Sequence, residues 1–94
     1  MTDNIHVTHD PARQRFEALV DGQLSVADYH LRDGVMHMTH TGVPPSLRGR
    51  GIAAALVQEA LAHAEREGLK VNPLCSYVRT YMERHPETRK LLAA

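Results

Sequence analysis

Apolar residues alternate with polar ones through the first half of this chain and recur every third or fourth position through much of the second. Phe16, Ala18 and Val20 fall two apart in Arg15–Val20, as a half-buried strand requires. Asp21-Gly22 separates that run from Gln23–Arg32, and Asp33-Gly34 separates Gln23–Arg32 from Val35–Val43. Asp-Gly is a favoured two-residue hairpin turn between strand-like runs, because both central residues take positive φ. Ile5–His9 adds an earlier strand, stopped by Asp10-Pro11. The first half predicts an antiparallel meander of three or four strands.

From Gly51 to Glu67 the period changes. Ile52, Leu56, Ala60 and Ala64, with Ala53, Val57 and Leu61 beside them, form one apolar helix face. Gln58, Glu59, Glu65 and Arg66 suit the wet face, and Gly68 is a C-terminal stop. Leu69–Asn72 has strand length and is ended by Pro73. Reaching it through a helix makes a right-handed βαβ crossover with parallel pairing. A second helix is predicted over Ser76–Arg84, burying Tyr77, Val78, Tyr81 and Met82. Pro86 then opens a short terminal helix carrying Leu91 and Leu92. The class is mixed α/β (α+β): a meander, a βαβ unit and C-terminal helices.

The joint between the two halves carries the strongest chemical signal. Pro44 and Pro45 stop the strand after Val43, and Arg48-Gly49-Arg50-Gly51-Ile52-Ala53 then runs straight into the helix. A helix N-terminus offers unpaired N–H groups and the positive end of the helix dipole, and both favour a phosphate. Gly49 and Gly51 let such a group approach the backbone without a side chain in the way. The bland alternative is a helix start that merely happens to be glycine-rich.

Composition narrows the field. The 94 residues suit one domain, 1–94, with a single small core. At 43% hydrophobic residues, no run approaches membrane-spanning length. Met-Thr-Asp-Asn-Ile-His lacks the basic and apolar regions of a secretory signal. One cysteine allows no internal disulfide and fits a reducing compartment, so a cytoplasmic location is expected. Eleven basic and eleven acidic residues cancel, and no basic footprint appears beyond Arg48 and Arg50. Nucleic acid is therefore not an expected partner.

The spacing Arg48-x-x-Gly51-x-Ala53, between a strand and a helix, resembles the pyrophosphate-binding signature of the GCN5-related N-acetyltransferases. His40-Thr41-Gly42-Val43, Arg48 to Ala53, Pro73-Leu74-Cys75-Ser76-Tyr77-Val78 and His85-Pro86-Glu87 together resemble a small, compact subgroup of that superfamily. Gly42 departs from it, standing where an acidic residue is common. The resemblance implies a minimal acetyltransferase fold that takes acetyl-coenzyme A as cosubstrate. Val43, Arg48, Gly49, Arg50, Gly51, Ile52 and Ala53 would then hold the coenzyme. Usual members insert one or two helices between their first two strands, where they help to wall the acceptor pocket. Asp10–Gln14 leaves no room for these helices. The acceptor, a small amine or a peptide lysine, cannot be carried over, and the oligomeric state is not legible.

Cys75 falls at the predicted start of a helix, where the dipole and free N–H groups favour thiolate. A small buried apolar role is the plain alternative; the resemblance instead puts Cys75 beside the coenzyme's thioester end. His40 is placed by the parallel strand pairing toward Leu69–Asn72 and hence Cys75, where a neutral imidazole could accept a proton. The resemblance gives Tyr81 the place of a phenol that protonates the departing coenzyme thiolate, though its spacing equally suits the core; Tyr77 has the weaker claim. Seven histidines invite a metal reading. Period-two geometry sends His37 and His40 to opposite faces unless the strand is bulged, so no metal is expected. The residues thus point to an N-acetyltransferase, direct or through Cys75. A non-catalytic module binding coenzyme A or acyl-coenzyme A is the alternative. A Cys75–His40 hydrolase is more remote, since no orienting third residue is recognisable.

Overall fold

A computed structural model describes residues 5–93. Four antiparallel strands come first: β1 (Val7–Asp10), β2 (Arg15–Val20), β3 (Gln23–Arg32) and β4 (Val35–Gly42). A short 3-10 turn over Pro45–Leu47 leads to α1 (Ile52–Glu67), then β5 (Lys70–Pro73), α2 (Ser76–Arg84) and a 3-10 segment over Pro86–Leu91. The strands lie in sequence order, with β5 parallel to β4 at the edge.

Local chemistry explains most of this order. Asp21 and Gly22 have φ of 51° and 74°, and Asp33 and Gly34 have 53° and 77°. Both hairpins therefore take the paired positive-φ turn expected of Asp-Gly, whose twist matches the strands it joins. The β1–β2 connection is held by the Gln14 N–H donating to Pro11 O at 3.1 Å, and it contains no helix. Gly68, at φ 70°, closes α1 by donating to Ala64 and Glu65 carbonyls.

Cross-strand pairing fixes the faces. Val7, Phe16, Ala18, Ala27, Tyr29, Met36, Met38 and Val71 share one face by register. The expected α1 stripe meets it: Ile52, Leu56, Val57, Ala60, Leu61 and Ala64 are buried. Val78 and Met82 of α2 and Leu91 join the same core. Full burial of a Leu, Val or Phe side chain is worth roughly 1.5–3 kcal/mol, so this shared interior holds helices and sheet together. The opposite face carries Arg15, Glu17, Leu19, Leu24, Asp28, His30 and His37, all exposed or half-exposed.

Four expectations shift. The last strand runs one residue later than expected, Lys70–Pro73 rather than Leu69–Asn72, and ends on Pro73 itself, as an edge strand permits. Tyr77 is 40% exposed and Tyr81 only half-buried, so Val78 and Met82 are the buried anchors of α2, with Tyr81 packed at the margin of the core. The C-terminal segment is 3-10, with Leu91 buried; Leu92 is largely exposed and bridges to Val71. The parity argument for the histidines also fails. Asp28 pairs with His40 but Tyr29 with Met38, so Thr39 is an extra residue on β4. This bulge puts His37 and His40 on the same face.

Candidate functional site

The bulge and the short β5 create the site. Pairing between β4 and β5 ends at Met38–Pro73, followed by one more bond, from the Cys75 N–H to Met38 O at 2.9 Å. Beyond it, Thr39–Gly42 continues with no strand on that side among the described residues. The open edge borders a cavity of about 510 Å³ lined by His40, Thr41, Val43, Arg48, Gly49, Gly51, Ile52, Ala53 and Tyr77, among others.

The floor of this cavity is the start of α1. Its N-cap is Gly51, at φ 79°, and no side chain caps it. The first turn contains no acidic residue, and the first intrahelical bond runs from the Ala55 N–H to Gly51 O at 3.0 Å. The earlier N–H groups of α1 are therefore available to an anion. Gly49 sits at φ 84°, and a Cβ placed on Gly49 or Gly51 would meet nothing within 4 Å. Backbone conformation calls for glycine here, and the space above both residues is open. The Arg48 Nε donates only a long bond to Val43 O, at 3.4 Å. Arg50 is placed differently: it pairs with Asp21 of the β2–β3 turn at 2.8 Å and does not line the cavity.

Cys75 is the N-cap of α2, and its sulfur lies 3.6 Å from Thr41 Oγ1. Burial alone would raise the thiol pKa. The backbone N–H groups of Val78 and Tyr77, and the hydroxyl and backbone of Thr41, outweigh it and hold the thiol below its ordinary value. They do so without closing a formal capping bond. Cys75 is half-buried behind Thr41, which itself lines the cavity.

His40 lines the same cavity but makes no hydrogen bond to Cys75, whose side-chain partner on β4 is Thr41. The His40 ring lies against Gly42: a Cβ there would come within 2.9 Å of His40 Nε2. Glycine at this position gives the imidazole its seat, a relation no local pattern reveals. The two tyrosines exchange places. Tyr77 lines the cavity, whereas Tyr81 lies outside it, stacked on His85 with centroids 4.0 Å apart. Burial raises both phenol pKa values; Arg84 opposes the rise at Tyr77, and Glu87 and Tyr77 add to it at Tyr81. Thr41 is the residue that the sequence reading gave no role; Tyr77, two residues after Cys75 in the Pro73–Val78 motif, had only the weaker claim beside Tyr81. Among the described residues, no group of three His, Cys, Asp or Glu side chains is placed to hold a metal ion. No described helix is long and apolar enough to cross a membrane.

The site thus combines an uncapped start of α1, an unpaired strand edge and a thiol at the start of α2 around one cavity. The GCN5-related N-acetyl-transferase family model matches residues 15–91, and the chain belongs to that family. It is 34% identical over 85 residues to Protein NATD1 of Mus musculus, covering 87% of this chain and 77% of that protein. The Homo sapiens Protein NATD1 is 34% identical over 85 residues, covering 87% of this chain and 75% of that protein. The Danio rerio form is 27% identical over 94 residues, covering 97% and 86%. In fold, the chain resembles the solution structure of a GCN5-like protein from Staphylococcus aureus, with a TM-score of 0.75 at 22% identity. That likeness covers 99% of this chain and 92% of the other.

Proposed function

We propose that residues 1–94 act as one minimal domain that transfers an acetyl group from acetyl-coenzyme A to an amine. The observation that carries this reading is the cavity between the uncapped start of α1 and the unpaired edge Thr39–Gly42. The N–H groups of the first α1 turn, with Arg48, Gly49 and Gly51, bind the pyrophosphate. Val43, Ile52 and Ala53 give the chain of the coenzyme an apolar bed, and the free β4 edge pairs with its amides. Arg50 acts at one remove, bracing the loop against Asp21.

Held this way, the thioester lies toward Thr41, His40 and Cys75. His40 takes a proton from the attacking amine, and Tyr77, rather than Tyr81, is positioned to protonate the leaving thiolate. Tyr77 holds this role because it alone of the two lines the cavity. A route through Cys75 would have its thiolate attack the carbonyl and expel the coenzyme thiolate, after which the amine takes the acetyl group and frees the sulfur. The exposed sheet face favours an acceptor that brings its own bulk, such as a peptide lysine. The same openness is the one feature favouring the second reading, a module that binds acyl-coenzyme A without turnover.

The test is incubation with acetyl-coenzyme A, with and without amines, followed by thiol release and intact mass. Transfer is expected above the uncatalysed rate. If Cys75 carries the acetyl group, brief incubation adds one acetyl mass that Cys75→Ala loses. Full activity in Cys75→Ala excludes the covalent route, and binding without transfer to any amine leaves only the module. Iodoacetamide should label Cys75 faster than a model thiol near neutral pH, because its pKa is lowered, and saturating coenzyme A should slow the labelling.

A further inference from the structure

The loop that forms the cradle is held from outside by the turn between β2 and β3. Leu47 and Ile52, both buried, fix the two ends of the loop, but Gly49 and Gly51 stand either side of Arg50 at positive φ. Glycine restricts the backbone least, so a loop with two of them keeps one shape only where something else holds it. Two side-chain links do so. Arg50 Nη1 donates to Asp21 Oδ2 at 2.8 Å, which takes hold of the loop between its glycines. The Gln23 side-chain amide donates to Ser46 Oγ at 2.8 Å, on the 3-10 turn just before the loop.

Both links start from one firm platform. Asp21 and Gly22 form the tight turn, and strand pairing runs right up to it, with Val20 opposite Gln23. Asp21 and Gln23 stand two residues apart there, yet they grip the loop on both sides of Arg48. None of Asp21, Gln23, Ser46 and Arg50 lines the cavity. Their effect on a bound anion therefore passes through the shape of the loop.

We infer that the β2–β3 turn is a positioning element of the cradle, with Asp21 and Gln23 setting its affinity for an anion that neither touches. The inference rests on the function proposed above and adds to it a second segment of the chain that controls coenzyme binding. A loop held in its binding shape before the ligand arrives meets its ordering cost on folding and not on binding. The Asp21 and Arg50 side chains are 65% and 33% exposed, so each link is a surface interaction and contributes a modest factor.

Calorimetry with coenzyme A on the full chain tests it. Asp21→Asn removes the charge and keeps a residue that tolerates the positive φ of the turn. Gln23→Met removes the amide and keeps the length. Each should weaken coenzyme A binding about two- to fivefold, and the two together about tenfold, with the melting temperature nearly unchanged. Arg50→Gln should lose what Asp21→Asn loses, and the pair combined should lose no more, because Arg50 acts through Asp21. With acetyl-coenzyme A as donor, KM should rise by the same factors while kcat holds.

Unchanged affinity in the Asp21→Asn/Gln23→Met protein overturns the inference and leaves the cradle standing. Tighter binding by Asp21→Asn also overturns it, since Asp21 then withholds Arg50 from the anion. A further loss on adding Arg50→Gln to Asp21→Asn does the same, by putting Arg50 on the phosphates. Failure of the wild type to bind coenzyme A overturns the functional reading itself, and this inference with it.

Discussion

The two ends of α1 place similar residue types under opposite conditions. At its N-terminus, helix N–H groups are uncapped, the loop space is empty and the nearby Cys75 thiol is biased toward its charged form. Toward its C-terminus, His63 meets His9 and Phe16 beneath the β1 edge. The His9 ring stacks on Phe16 with centroids 4.1 Å apart, and its Nε2 lies 2.6 Å from the Tyr29 hydroxyl. Burial above all, and then the neighbouring His63, push the His9 pKa below its ordinary value, with Asp10 opposing. One end leaves hydrogen-bonding capacity unused and favours charge; at the other, His9 and Tyr29 satisfy one another and both favour neutrality. In the function proposed above, the end with unused capacity is the one that binds and the end with satisfied capacity is structural.

The sharpest way to break this contrast is Gly51→Asp. Asp tolerates the left-handed backbone of Gly51, so the fold should persist, while its carboxylate occupies the anion's place at the start of α1. Affinity for coenzyme A should fall at least about a hundredfold by calorimetry, with little change in melting temperature. Unchanged affinity in a folded variant would refute the cradle.

The structural end should respond to acid instead. A depressed His9 pKa means that its stabilising contribution is complete above the unfolded value near 6.5. It is lost as pH falls from there through the folded value. Melting temperature should drop between pH 7 and pH 5, and His9→Phe should make that drop smaller by about 2–4 °C. An identical pH profile in His9→Phe would remove His9 from this role. Coenzyme A affinity should be indifferent to the substitution.

The smallest effect probes the seat of His40. In Gly42→Ala the new Cβ would lie 2.9 Å from His40 Nε2, and the exposed ring must turn to make room. Stability should change by less than about 0.5 kcal/mol, since the displaced group is the end of a surface side chain. Acetyl transfer should nevertheless slow by about two- to fivefold if the imidazole is the base. Transfer at the wild-type rate, with a shifted His40 resonance, would remove the imidazole from the reaction.

Sequence alone determined whatever depends on neighbours along the chain. Alternating apolar positions specified the strands, Asp-Gly pairs specified the turns, and the Ile52–Ala64 stripe specified the helix face that is buried. The glycines before Ile52 marked the uncapped start of α1, because a helix start is itself a local property. Four features were decided only when distant segments met: the Thr39 bulge, the contact of Cys75 with Thr41, the engagement of Arg50 by Asp21, and the choice of Tyr77 over Tyr81. A bulge belongs to a pair of strands, so no single strand's period announces it. Tyr77 and Tyr81 stand one helical turn apart on the same side of α2, and helical periodicity treats them alike. The packing of α2 against α1 and the open β4 edge brings one of them to the cavity and leaves the other beside His85, a distinction that exists only in three dimensions.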